Sequence, residues 1–217
     1  MYLKRSLAII VPAYNEAKLI SKTLADMPAE ADRIYVVDDA STDATRQIAE
    51  SLQDGRICVL SSSHNRGVGA SIVNGYKQAL EDGFNIMVVM AGDGQMSAKY
   101  LPDLLGPIIS GKADYSKGNR FLYPGHTKGM SNWRFFGNRV LTYLTKIASG
   151  YWEIGDPQNG YAAATRECLL KINLDKIYPR YGYCNDLLVK LKVAGCRVSD
   201  VPIPALYGPE KSKIRYH

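Results

Sequence analysis

Five short strand-like runs, LAIIVP (7–12), RIYVVD (33–38), RICVLS (56–61), NIMVVMA (85–91) and ADYSKG (113–118), alternate with segments of helical pattern at 16–27, 42–53, 68–82 and 98–110. The apolar runs are continuous and β-branched, without the polar-apolar alternation of a strand that has one wet face. Strands of that kind are covered on both sides, so the pattern predicts a mostly parallel α/β sheet flanked by helices. Ligands of such sheets sit beyond the carboxyl ends of the strands. The first run leads into Pro12, Ala13, Tyr14, Asn15 and Glu16, and the second into Asp38, Asp39, Ala40 and Ser41. The third leads to His64, Asn65, Arg66 and Gly67, and the fourth to Gly92 and Asp93. Carboxylates, amides and small residues are therefore expected to meet along one sheet edge.

The second half is less regular. Residues 119–131, NRFLYPGHTKGMS, read as a long loop of the kind that carries function. The following SNWRFFGNRVLTYLTKIAS has a helical stripe of Trp133, Phe136, Val140, Leu144 and Ile147, with Arg134, Arg139 and Lys146 elsewhere on the wheel. A helix packed in the core is the default expectation for that stripe, and a membrane-surface helix is the alternative. Residues 182–203 read as a helix followed by a strand.

At 217 residues and 46% hydrophobic, the chain fits a single domain with a substantial core. Its halves divide naturally at 1–110 and 111–217. Cys58, Cys168, Cys184 and Cys196 have neither CxxC nor His-paired spacing, as expected of reduced thiols in a protein on the cytosolic side. The apolar run near the N-terminus breaks at Pro12 after about six residues, whereas a secretory signal needs about 7–15. No run approaches the roughly 20 apolar residues that span a bilayer, so the chain is expected to be soluble.

The net charge of +6 is unevenly spread. Residues 111–146 hold seven Lys/Arg and only Asp114, whereas residues 1–110 hold ten Lys/Arg and 13 Asp/Glu. Such a basic segment suits an anionic partner, and a merely solvated basic face is the alternative. No aromatic-basic RNP-like strand motif is present, so nucleic acid is not an expected partner. Gly67 and Gly69 open a GxGxxG pattern that fails at Ile72, and no GxxxxGK[ST] loop occurs, which removes both familiar phosphate cradles. What remains is a carboxylate-bearing edge, whose oxygen ligands suit Mg²⁺ or Mn²⁺ shared with a diphosphate.

PAYNE (12–16), VVDDASTDAT (36–45), NRGVGASIVNGYKQAL (65–80), VVMAGDGQM (88–96) and KGNRF (117–121), taken in order, resemble family 2 glycosyltransferases of the GT-A fold. Within that family the resemblance, which covers residues 7–213, is to the polyprenyl-phosphate hexosyltransferases of the dolichyl-phosphate mannose synthase type. It implies a pocket for a GDP- or UDP-hexose lined by Pro12, Ala13, Tyr14, Glu16, Asn65, Gly67 and Gly92, with Asp39 and Asp93 reaching the base, ribose or diphosphate. Either Asp38 or Asp39 is expected instead to cap the helix that follows. The family's Asp-x-Asp triplet stands here as Ala91-Gly92-Asp93, which leaves Asp93 and Gln95 to hold the cation with help from the diphosphate.

The resemblance also implies that Arg120 and Arg134 hold an acceptor phosphate, a task that suits the guanidinium fork. The family's Arg-x-x-Gly-x-Ser-Lys loop appears as YGPEKSK (207–213), keeping Ser212 and Lys213 and losing the arginine, for which Lys211 stands in. DPQNGYAA (156–163) matches a stretch below the acceptor site, and Asn185 with Asp186 matches the position of a base. A hydroxyl acceptor needs that base, whereas an ionised phosphate does not. The Gln-x-x-Arg-Trp motif of processive polysaccharide synthases is absent. The expected activity is inverting hexosyl transfer to a polyprenyl phosphate on the cytoplasmic face of a membrane. Transfer to a lipid or glycan hydroxyl, or a silent sugar-nucleotide-binding module, are the alternatives.

Overall fold

The computed structural model describes residues 2–122 and 132–204. The side chains at 132–135 and 138 also lie outside what is described, so the expectations for Trp133, Arg134, Lys211, Ser212 and Lys213 fall beyond it.

Strands β1 (Leu7–Ala13), β2 (Arg33–Asp38), β3 (Ile57–Ser61), β4 (Ile86–Val89), β5 (Tyr115–Asn119), β6 (Ala162–Thr165) and β7 (Val198–Pro202) form one sheet in the order β3-β2-β1-β4-β6-β5-β7. All neighbours are parallel except β6, which runs antiparallel to both β4 and β5. The expected mostly parallel, helix-covered sheet is therefore present, and the alternation along β1 explains its unbroken apolar run. Ala8 and Ile10 enter one core with Ile72 and Tyr76, while Leu7, Ile9 and Val11 enter a second core with Ile20 and Leu104. Each face of the strand is buried against helices, so no position can be polar.

The helices are α1 (Ile20–Ala25), α2 (Thr45–Ser51), α3 (Val68–Glu81), α4 (Leu101–Ile109), α5 (Asn132–Ser149), α6 (Arg166–Leu170) and α7 (Tyr183–Val193). The expected helix at 16–27 is shorter than its pattern, and the reason is tertiary. The amides of Asn15, Glu16 and Ala17 donate to Ser41 Oγ, Thr45 Oγ1 and Asp43 Oδ2, with Asn15 at φ +53°, so the chain is held in a turn before the helix begins.

Two further differences matter for the site. Strand β6 is the tetrapeptide AAAT, which carries no β-branched signal until its last residue. Its alanines fit because both faces of the sheet are occupied there. The described part of the α5 stripe, Phe136, Val140, Leu144 and Ile147, is exposed and not packed in the core. Phe136, Tyr143, Leu144 and Ile147 are each more than half exposed, and among the helix's described side chains the buried ones are Thr142, Thr145 and Ser149. Thr145 Oγ1 donates within the helix to Leu141 O at 2.7 Å, and Thr142 Oγ1 donates to Gln158 Oε1 at 3.4 Å in the loop before β6. The helix thus presents its apolar side outward.

Candidate active site

Three strand tips are joined by backbone bonds. The Asp39 amide donates to Ala13 O at 2.9 Å, and the Gly92 amide to Pro12 O at 3.3 Å, so the ends of β2 and β4 flank the end of β1. One cross-strand row, Cys58, Tyr35, Ile10, Val89, Ala162, Lys117 and Asp200, fixes how the other strands align. Because β6 is antiparallel, the chain just before it lies at the same edge as the carboxyl ends of β4 and β5. The register brings the Asp156–Gly160 loop, Arg120 and the Asp93 turn to the edge that holds Asp39.

Asp39 is buried and each of its oxygens accepts a backbone bond, Oδ1 from Arg66 N at 2.8 Å and Oδ2 from Gly67 N at 2.7 Å. Asn65 Nδ2 donates to the Asp39 carbonyl at 3.4 Å. Neither acid of the pair caps α2, contrary to expectation: Asp38 accepts from the Ser41 amide ahead of the helix, and Asp43 Oδ1 serves Thr45 N at 3.0 Å. Gly67 is needed for its φ of +101° and for its contact, because a Cβ there would sit 2.6 Å from Pro179 O. Next to it the Ala70 amide donates to Pro179 O at 2.9 Å.

The chain at 178–182 that rests on this glycine turn is held from its other side by Asp186. Oδ2 accepts from Tyr178 N at 2.7 Å, and Oδ1 pairs with Lys190. The residue expected as a base therefore anchors a loop. Its neighbour Asn185 accepts from Gln158 Nε2 at 3.2 Å, which ties α7 to the loop before β6.

At the tip of β4, Asp93 occupies a turn in which Oδ1 accepts from Gln95 N at 3.0 Å and Gly94 takes φ +70°. Thr23 Oγ1 fastens the turn by donating to Gly92 O at 3.1 Å, and the Ala91 amide meets Met96 Sδ at 3.2 Å. Met96 reaches across to the neighbouring loop, its Cε lying 3.4 Å from where a Cβ on Gly160 would be. Among the described residues no group of three His, Cys, Asp or Glu is placed to hold a metal ion. One carboxylate with one amide oxygen is the donor set of an Mg²⁺ or Mn²⁺ ion that takes its remaining ligands from diphosphate and water. Asp93 and Gln95 fit that role only together with the substrate.

Arg120 leaves β5 into a fork with Asp156, Nε to Oδ2 at 2.6 Å and Nη2 to Oδ1 at 2.8 Å, while its amide donates to Oδ2 at 3.1 Å. Asp156 is fully buried and Arg120 nearly so. Two residues that sequence reasoning passed over lie alongside. Lys117 is buried on β5 and its Nζ donates to the Asp156 carbonyl, burial pulling the ammonium pKa down. Asp200 on β7 accepts at Oδ2 from Asn119 Nδ2 and Gly155 N, both at 2.5 Å, and burial raises its carboxyl pKa. A lysine inside a strand-like run was a signal in plain view.

A helix-flanked, mainly parallel sheet with a carboxylate turn beyond β4, a glycine turn at the head of α3 and a forked arginine after β5 defines the architecture of a nucleotide-sugar transferase. Residues 8–172 match the sequence profile of glycosyl transferase family 2, and the chain belongs to that family. It is 28% identical to the UDP-N-acetylglucosamine–dolichyl-phosphate N-acetylglucosaminyltransferase of Methanococcus voltae, over 92% of this chain and 85% of that one. It is 31% identical to the undecaprenyl-phosphate mannosyltransferase of Micrococcus luteus, over 89% of this chain and 81% of the relative. The fold is shared with glucosyl-3-phosphoglycerate synthase from Mycobacterium tuberculosis, solved with Mn²⁺, uridine diphosphate and phosphoglyceric acid. The TM-score is 0.68 and the identity 20%, over 92% of this chain and 69% of that one.

Proposed function

We propose that this glycosyltransferase moves a hexose, with inversion, from a GDP- or UDP-sugar to a polyprenyl-type phosphate at a membrane surface. The observation that carries the reading is the buried Arg120–Asp156 fork at the same sheet edge as the Asp93 turn, which supports the reading because a guanidinium, the group suited to phosphate, lies on the side of the sheet proposed for the nucleotide sugar. The curated relatives named for dolichyl and undecaprenyl phosphate support the acceptor class.

In this reading the nucleotide lies over Pro12, Ala13, Tyr14 and Glu16, against the turn that Asp39 holds at Asn65–Gly67. An acceptor phosphate oxygen forms a bond to the anomeric carbon as the bond from that carbon to the diphosphate oxygen breaks, and the nucleoside diphosphate leaves with the electron pair. Arg120, joined by Arg134 and by Ser212 and Lys213, offsets the repulsion between the two anions. A bound divalent cation supplies charge neutralisation for the departing diphosphate. A phosphate arrives ionised, so no base is required, in keeping with an Asp186 carboxylate already committed to Tyr178 N and Lys190.

Radiolabelled transfer to a total lipid extract tests the proposal. The expected product is released by mild acid, as a glycosyl phosphate is; an acid-stable glycoside would mean a hydroxyl acceptor, and no product a binding module. Asp186→Asn separates the two acceptor classes. It keeps an oxygen for Tyr178 N, so turnover should fall by less than about tenfold, whereas loss of a true general base costs roughly 10²–10⁴. A loss in the upper range, measured as kcat in a variant of unchanged melting temperature, would move the proposal to the hydroxyl class.

The outward apolar face of α5 supports docking on lipid. Phe136, Gly137, Val140, Leu141 and Leu144 line a shallow groove of about 290 Å³, and the basic segment 111–146 suits anionic headgroups. No described helix is long and apolar enough to cross a membrane. Four unpaired cysteines fit a cytoplasmic face. Phe136→Ser with Leu144→Ser should reduce co-sedimentation with phosphatidylserine vesicles by about tenfold or more while leaving stability unchanged, since both side chains are exposed. Undiminished sedimentation would remove α5 as the contact.

A further inference from the structure

Lys117, fully buried, and Asp200, half-buried with its Oδ1 shielded from solvent, are charges that the transfer step does not use, and they occupy paired positions on β5 and β7. Burying either is expensive unless it does something for its neighbours. What they do is visible in their partners. Lys117 Nζ donates to the main-chain carbonyl of Asp156, while Asp200 Oδ2 receives the amide of Gly155 and the side chain of Asn119. The two charges thus grip consecutive residues, 155 and 156, of the loop whose carboxylate forks Arg120. Asn119, the residue before Arg120, is gripped in the same cluster, and its Oδ1 accepts from Phe121 N at 2.8 Å on the other side of Arg120.

We infer that Lys117 and Asp200 are positioning residues that aim Arg120, by clamping the backbone at Gly155–Asp156 and the side chain of Asn119. Fully ionised, the cluster of Lys117, Arg120, Asp156 and Asp200 carries no net charge, and Cys184 on α7 is the further titratable group facing Lys117. Among the described residues Asp200 Oδ1 is buried with no hydrogen-bond partner, and the nearby lysine charge compensates it. An oxygen left unpaired in this way is what a residue retained for orientation leaves behind. A residue present only for stability would be better replaced by an apolar one.

The orientation claim stands on geometry alone, and its effect on the acceptor rests on the reading of Arg120 given above. The experiment keeps the two apart. Arg120→Lys identifies the Arg120 Nε–H signal in a ¹⁵N correlation spectrum, and the rate at which that proton exchanges with water reports the fork. Asp200→Asn retains an oxygen for Asn119 and Gly155 while removing the charge. Lys117→Met removes the clamp on Asp156, and the double variant Lys117→Met/Asp200→Asn leaves no uncompensated charge if the single lysine variant fails to fold.

Exchange of the Arg120 proton should accelerate about tenfold in Asp200→Asn and in the double variant. With farnesyl phosphate as acceptor, KM for the phosphate should rise about tenfold, with KM for the nucleotide sugar within about twofold, because small misplacements at a positioned group have effects of that size. An exchange rate equal to that of the unaltered protein in both folded variants would overturn the inference. Faster exchange, together with an acceptor KM that even Arg120→Lys leaves unmoved, would uphold the clamp and remove Arg120 from the acceptor site.

Discussion

Replacing Asp93 with asparagine is expected to lower kcat by about three orders of magnitude without lowering stability, the size of loss that follows removal of a group aimed at developing charge. The turn survives because the Asn Oδ1 still accepts from Gln95 N, as Asp93 Oδ1 does at 3.0 Å. What disappears is the one carboxylate of the Ala91-Gly92-Asp93 triplet, the group proposed to hold a divalent cation on the diphosphate. Activity should accordingly require added Mg²⁺ or Mn²⁺, and steady-state assays across a Mn²⁺ titration measure both effects. Ala91→Asp supplies the second acid and should move the half-activating Mn²⁺ concentration down by about tenfold, since ligand charge sets the affinity of such sites. Full turnover in excess EDTA, or an asparagine variant within tenfold of the parent, would remove the cation from the proposal.

The second large effect belongs to Asp156. Its carboxylate holds Arg120 through two side-chain bonds and one amide, with the acid fully buried and the arginine nearly so. Asp156→Ala strands a buried guanidinium, which typically destabilises by about 3–5 kcal/mol, and urea denaturation should read that loss directly. The companion variant Asp156→Leu with Arg120→Met removes both charges. Buried ion pairs replaced by apolar residues of similar volume are commonly neutral in stability, so the double variant should recover most of the fold. It should recover none of the activity if Arg120 meets the acceptor phosphate as proposed, because the guanidinium is gone. That split between stability and turnover would mark the fork as a functional device. An alanine variant as stable as the parent would show that the pair is not the buried, mutually dependent unit described here.

The strand tips were legible from the sequence because each is a local event. A covered parallel strand must be apolar throughout, and the polar residues at its carboxyl end announce themselves by ending the run. Asp39, Asp93 and the Gly67 turn were found in that way, and they do share an edge. Their detailed tasks were less legible. The local sequence makes Asp38 or Asp39 a cap for the following helix, but the oxygens of Asp39 hold the amides of a turn 27 and 28 residues away.

The short AAAT strand was missed because alanine has no strand preference of its own, and only a slot between β4 and β5 makes it one. The α5 stripe reads as core because periodicity identifies an apolar face without saying which way it points. Burial of Thr142, Thr145 and Ser149 turns that face outward.

Local periodicity, chain-ending residues and turn chemistry determined the class of sheet, its helices and the edge where a nucleotide sugar would bind, because those depend on residues within a few positions of one another. Tertiary structure alone decided that Arg120 meets Asp156 across 36 residues, that Lys117 and Asp200 pair across β5 and β7 and bond to the backbone at 155–156, and that the described apolar side chains of α5 face out. Each of those depends on which strands pair and in what register, and pairing energy is collected between segments whose separation along the chain leaves no periodic trace.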